Sequence, residues 1–152
     1  MSRVLAFLEL TGASPSVTEQ ASGRLRVVPV DVRAPRLGLA EPEFRRLADG
    51  LDAVWHSAGN VRLNDDITAL RAVNVDGIQH MLELARAGTR RPVLFHVSTA
   101  FVAGTRITGT AYEDELDHGA DFGNPYERSK YAGRCRGFGH GPAVTAVAIG
   151  RR

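Results

Sequence analysis

The chain has 152 residues, 43% of them hydrophobic and 24% charged, enough to bury one core without disulfides or metal. Its 16 glycines and 7 prolines follow no fixed period, the single cysteine, Cys135, excludes an internal disulfide framework, and no apolar run approaches the ~20 residues of a membrane helix. A net charge of +2 is too small to predict nucleic-acid binding. The apolar N-terminal run is short and interrupted by Glu9, unlike a secretory signal, so a cytoplasmic protein with a reduced thiol is expected.

In chain order, strand-length apolar runs fall at Val4–Leu10, Leu25–Val32, Asp52–Ala58, Pro92–Thr99 and Ala143–Ile149. They are rich in valine and leucine without strict alternation, as in strands buried on both faces of a parallel sheet. Helical periodicity separates them. Pro42–Asp49 carries Phe44, Leu47 and Ala48 on one face, with Gly50 to end it. Asp66–Ala87 is the clearest helix, with Asn64 or Asp65 to cap it and Gly88 at its end. Pro125 suits the first turn of a third helix capped by Asn124. Alternating strands and helices predict the α/β class, with right-handed βαβ units and a doubly wound parallel sheet. The polar stretch 105–123 reads as a long surface loop, of the kind that leaves the carboxyl ends of strands where ligands bind. No linker divides residues 1–152, so one domain is expected.

Tyr126-Glu-Arg-Ser-Lys130 places a tyrosine and a lysine four apart on the third helix, hence on one face. An ammonium beside a phenol favours the phenolate and allows proton exchange with a carbonyl or alcohol near neutral pH. Lys130 is the only lysine of the chain, and a lone lysine lands four residues after one of three tyrosines by chance roughly one time in fifty. The pair is therefore read as functional rather than as a solvated helix face. The fourth apolar run ends in Ser98-Thr99, whose hydroxyls would sit at a strand's carboxyl end and could polarise a carbonyl. Taken alone, such a pair more often forms a turn.

His56-Ser57-Ala58-Gly59 ends the third run with small residues that let a cofactor approach the backbone, or that simply turn the chain. His56 itself reads as structural. Asn74 lies mid-helix among apolar neighbours, which suggests a buried amide with a specific partner. Asp31 ends the second run and could accept from an adenine or ribose, although aspartates also begin turns. The five histidines and Cys135 show no metal-ligand spacing, so no metal site is expected.

These pieces resemble the extended short-chain dehydrogenase/reductase superfamily, and within it the thioester-reductase branch that includes male-sterility-type fatty acyl reductases. The matching text is Val-Val-Pro-Val-Asp31-Val, Pro35-Arg-Leu-Gly38-Leu, Asp52-Ala-Val-Trp-His56-Ser-Ala, Asn74-Val-Asp-Gly77, Val97-Ser-Thr99-Ala-Phe-Val-Ala-Gly104 and Tyr126-Glu-Arg-Ser-Lys130. The resemblance implies a Rossmann-like fold and a catalytic triad of Thr99, Tyr126 and Lys130. It also implies a cofactor lining of Asp31, Val32, Ser57, Ala58, Gly59 and Asn74, shared with Tyr126 and Lys130. Hydride from NADP(H) would reduce an acyl thioester, held on a carrier protein or coenzyme A, to an aldehyde or alcohol. NAD stays open, since Glu9 near a strand end would favour an unphosphorylated ribose.

Members of that family open with a strand and a Gly-x-x-Gly-x-x-Gly loop. Here Pro15 and Thr18 stand where the second and third glycines belong, and Gly12 is only 19 residues before Asp31. Val4–Leu10 is accordingly read as the second strand of an incomplete domain that lacks the first strand and glycine-rich loop. Four glycines in 133–141 are expected to disfavour helix after Lys130. The chain reads as a reductase fragment whose exposed sheet edge favours self-association. Two alternatives are a non-catalytic remnant or interaction module of the same fold, and a nucleotide-sugar epimerase-like or hydroxysteroid-dehydrogenase-like enzyme.

Overall fold

Three of the five apolar runs become strands: β1 (Ala53–His56), β2 (Val93–Thr99) and β3 (Val144–Ile149). They form a parallel sheet in the order β1-β2-β3, with Trp55 opposite Phe95, His56 opposite His96, and Thr99 opposite Ile149. The structure is a computed structural model that describes residues 6, 10–12, 14–112, 115–116, 119–138 and 144–149. It divides into two units, Met1–Val30 and Asp31–Arg152.

In the first unit the described helix is α1 (Pro15–Ser22), with proline at its start. Of the expected strand Val4–Leu10, Ala6 and Leu10 are helical and the other residues lie outside the described ones. The expected strand Leu25–Val32 is not one: its residues up to Asp31 have no regular structure, and Val32 begins a turn. Pro29 interrupts that run and has no amide hydrogen to give a ladder. Leu25, Val27 and Val30 are exposed. The Asp31 amide donates instead to the Leu37 carbonyl, 3.1 Å away.

That bond closes a turn of unusual hand. Arg36, Leu37 and Gly38 have φ of 53°, 59° and 75°, a left-handed conformation that costs an L-residue roughly 1–2 kcal/mol. Leu37 holds it by burial, with 2% of its surface exposed, and burying a leucine recovers about 1.5–3 kcal/mol. Under it lies the core of the second unit: Phe44 and Ala48 of α2 (Glu41–Asp49), Val54 of β1, Leu94 of β2, and Ile78, Met81, Leu82 and Leu84.

The last four residues belong to α4 (Asp76–Ala87), which follows α3 (Ile67–Asn74). The single helix expected over Asp66–Ala87 is thus interrupted at Val75, whose φ of −113° departs from the ordinary helical value. Its cap is neither Asn64 nor Asp65 but Asp66, which accepts from the amides of Thr68 and Ala69. The break lies where α5 (Pro125–Phe138) crosses. A Cβ on Gly133 would sit 2.1 Å from the Asn74 carbonyl oxygen, so only glycine admits this approach. Helix therefore continues through Gly133 and Gly137 to Phe138, against the expectation from the glycine content.

Asn124 caps α5 as expected, accepting from the Glu127 amide at 3.0 Å, while Glu127 reaches back to the Gly123 amide at 2.9 Å. Both crossovers advance in one direction across the sheet and α4 touches α5, so both helices cover one face. Along β1 and β2 burial alternates. Val54, His56, Leu94, His96 and Ser98 are buried toward the helices, whereas Trp55 and Val93 are exposed on the other side. The 105–123 loop is tied at its ends, with the Thr105 amide donating to the Asp121 carbonyl at 2.9 Å.

Candidate active site

Parallel pairing brings the carboxyl ends of β1 and β2 to one side of the sheet. Ser57, Ala58 and Gly59 leave β1 there as exposed, irregular backbone. Thr99 ends β2 and starts a 3-10 turn, Ala100–Ala103, its hydroxyl oxygen accepting from the Phe101 amide at 3.3 Å. That bond uses an acceptor site and leaves the hydroxyl proton free to be donated.

The first turn of α5 packs on this 3-10 turn. Tyr126 meets Phe101 edge-on, with ring centroids 6.4 Å apart. One helical turn later, Lys130 crosses to β2 and its ammonium donates to the Val97 carbonyl at 3.1 Å. Only 6% of Lys130 is exposed, and this burial pushes its pKa below the ordinary lysine value. The structure thus gathers Thr99, Tyr126 and Lys130 around the carboxyl end of β2.

Asn74 has the specific partners expected of a buried mid-helix amide. Its oxygen accepts from the Asn60 amide at 2.9 Å, and its nitrogen donates to the Asn60 carbonyl at 3.0 Å and to the Ser129 hydroxyl at 2.9 Å. Ser129, fully buried, passes its own proton to the Tyr126 carbonyl at 2.7 Å. The loop after Gly59 is therefore tied, through Asn74 and Ser129, to the turn of helix that carries Tyr126 and Lys130. Sequence reasoning missed Ser129 and Asn60. The only signal was Ser129's place between tyrosine and lysine.

Val32, next to Asp31, packs against α4. The Val32 carbonyl contacts His80 Nδ1 at 2.8 Å, and Val32 lies 3.7 Å from where a Cβ on Gly77 would stand. Gly77 is three residues beyond Asn74. The Asp31 carboxylate receives the Arg33 guanidinium at 2.9 and 3.0 Å and the Arg33 amide at 2.9 Å, which together hold its pKa down to about 2.

Beneath Lys130 lies a polar pair that the sequence did not announce. His56 and His96 stack across β1 and β2 with centroids 5.2 Å apart. Burial first, and then the Lys130 charge, lowers their pKa values to about 4 and about 3. His56 Nε2, both His96 ring nitrogens and the Ser98 hydroxyl have no hydrogen-bond partner among the described residues. No cluster of three or more metal-ligating side chains occurs among the described residues, and no described helix is long and apolar enough to cross a membrane.

The chain is similar in sequence and fold to known proteins. The male sterility protein model matches residues 3–134. The chain is 32% identical over 112 residues to a linear gramicidin synthase subunit of Brevibacillus parabrevis, a match that covers 70% of this chain and 2% of that protein. It is 31% identical over 78 residues to fatty acyl-CoA reductase wat of Drosophila melanogaster, covering 51% of this chain and 15% of that protein. Among solved structures, the terminal R domain from the myxalamid PKS-NRPS biosynthetic pathway superposes with a TM-score of 0.77 at 31% identity, covering 88% of this chain and 34% of that one. The chain thus spans about a third of that reductase domain and a smaller part of the other two relatives. With a parallel α/β sheet of Rossmann type and Thr99, Tyr126 and Lys130 brought to the end of one strand, the chain belongs to the male sterility protein family, an extended short-chain dehydrogenase/reductase of the thioester-reductase type.

Proposed function

We propose that residues 1–152 act as one partial NAD(P)-binding domain of a cytoplasmic, NADP(H)-dependent reductase of acyl thioesters, with Thr99, Tyr126 and Lys130 as its catalytic residues. The observation that carries this reading is the placement of Lys130: its buried ammonium is fixed to the Val97 carbonyl one turn along the helix from Tyr126. One of its three donors is used there, which leaves two for a ribose hydroxyl and for the phenol. The unpartnered Ser98 hydroxyl beside it suits a ligand rich in hydroxyl groups, so the residues present fit a dinucleotide. When bound, the nicotinamide supplies the hydride.

Thr99 donates its free hydroxyl proton to the substrate carbonyl oxygen, and Tyr126 delivers the phenolic proton to that oxygen as charge develops. Ser57, Ala58 and Gly59 form a backbone wall without bulky side chains for the cofactor to lie against. Asp31 and Val32 face the adenine half. Asn74, whose amide is fully used within the chain, acts by holding Asn60 and the wall in place. The substrate is an acyl thioester on a carrier protein or coenzyme A: hydride and proton addition to its carbonyl would give a hemithioacetal, whose carbon–sulfur bond breaks to release the thiol and an aldehyde, and a second hydride and proton would take the aldehyde to an alcohol.

The test has two parts. NADPH fluorescence should be quenched saturably by the chain, and NADPH should bind more tightly than NADH. Tyr126→Phe should keep that binding and lower thioester reduction by about 100-fold or more. No saturable response up to millimolar NADPH would favour the non-catalytic remnant, and unchanged turnover in Tyr126→Phe would remove the phenol from the mechanism.

A further inference from the structure

On the side of α5 turned away from Tyr126 and Lys130, a groove of about 460 Å³ runs between α3 and α5. Arg71 of α3 and Arg128 and Arg136 of α5 line it, over a floor that includes Val75, Tyr131 and Cys135. The three arginines are exposed. None of their guanidinium groups pairs with a carboxylate among the described residues, where every ion pair engages other arginines. No acidic residue among the described ones lines the groove. Arg128 and Arg136 stand about 12 Å apart along the helix axis, so the positive charge forms a stripe rather than a point.

We infer that this groove is a docking surface for an acidic carrier protein, the macromolecule that brings the thioester. The inference rests on the proposed function for the identity of the partner, and on charge complementarity for the place. A stripe of unpaired guanidinium groups beside a partly apolar floor attracts a carboxylate-bearing surface and steers its approach. A second copy of the chain fits poorly, because a two-fold contact would set the same three arginines against each other. Coenzyme A itself fits poorly too. A ligand lying in the groove would be separated from Tyr126 by the width of a helix, about 10 Å, so the groove suits the body of a carrier and not the reacting end.

The experiment uses the 152-residue chain and an acidic holo acyl-carrier protein, with binding read by calorimetry and NADPH binding measured in parallel. Saturable binding should weaken as salt rises from about 0.05 to about 0.3 M, and should fall about 10-fold or more in the triple variant Arg71→Glu/Arg128→Glu/Arg136→Glu. The triple arginine-to-lysine variant, which keeps the charge, should retain most of it and covers the case in which the reversal variant fails to fold. No saturable binding, or binding equal in the native and reversed chains, overturns the inference. So does competition by free coenzyme A for the same groove, or a self-associated state that the reversal dissolves. Failure of the proposed function shows separately, as loss of NADPH binding or of turnover on a small soluble thioester in the native chain.

Discussion

The two faces of the sheet differ in what they carry: the covered face buries polar side chains beside the apolar Val54 and Leu94 of the core. The face under α4 and α5 buries two histidines, a serine and, from α5, a lysine, while the opposite face leaves Trp55 66% exposed and stacked on Phe95 at 4.2 Å. An apolar side chain is normally the cheaper one to bury. Within this polar set the Lys130 ammonium is held against β2 by the Val97 carbonyl. Among the described residues the bare face exposes apolar surface at Trp55 and Val93, of a kind that a further layer or a partner would cover.

The contrast can be broken most forcefully at Gly133. Gly133→Ala puts a Cβ against the Asn74 carbonyl, backbone against backbone, and should destabilise the chain by about 3 kcal/mol or more. A melt by circular dichroism should show a drop of many degrees. A drop of only a degree or two would mean that the helices on the covered face have room to part.

A second effect comes from acid. His56 and His96 are held neutral, with pKa values of about 4 and about 3 against about 6.5 unfolded. Lowered folded values mean that the unfolded chain binds the extra protons. The stability they contribute is complete above pH 6.5, declines as the pH falls below that, and is gone once the pH has passed about 3. Denaturant midpoints measured between about pH 7 and pH 4 should fall steeply. His96→Phe should flatten that slope, and an unchanged slope would place the acid sensitivity elsewhere.

The mildest change is on the bare face. Trp55→Ser removes a stacked but exposed ring and should cost less than about 1 kcal/mol. It should nonetheless reduce any concentration-dependent association seen in sedimentation, with β1 as an edge of the described sheet. A variant that associates as strongly as the native chain would show that neither Trp55 nor this face mediates the contact.

What the sequence revealed of this fold follows the range of each interaction. The strands inside the runs Asp52–Ala58, Pro92–Thr99 and Ala143–Ile149 and the Asn124 cap are marked by local composition, and these were legible. So was the shared face of Tyr126 and Lys130. Leu25–Val32 misled because its valines look like a strand while Pro29 denies it a ladder. The break at Val75 was hidden because its cause, the approach of Gly133, lies 58 residues away. Ser129 was hidden for the same reason, since its meaning comes from Asn74 across the helix interface. The inward turn of His56 and His96 needed the register of two strands, which no single run of residues contains.

The left-handed turn at Arg36–Gly38 has a consequence for Asp31, proposed above to face the adenine half of the cofactor. Its unfavourable backbone persists because Leu37 is seated in the core, and the Leu37 carbonyl in turn anchors the Asp31 amide. The carboxylate at Asp31 is thus hung from a hydrophobic peg: a change in core volume beneath Leu37 is transmitted as a displacement of a group that touches nothing in that core.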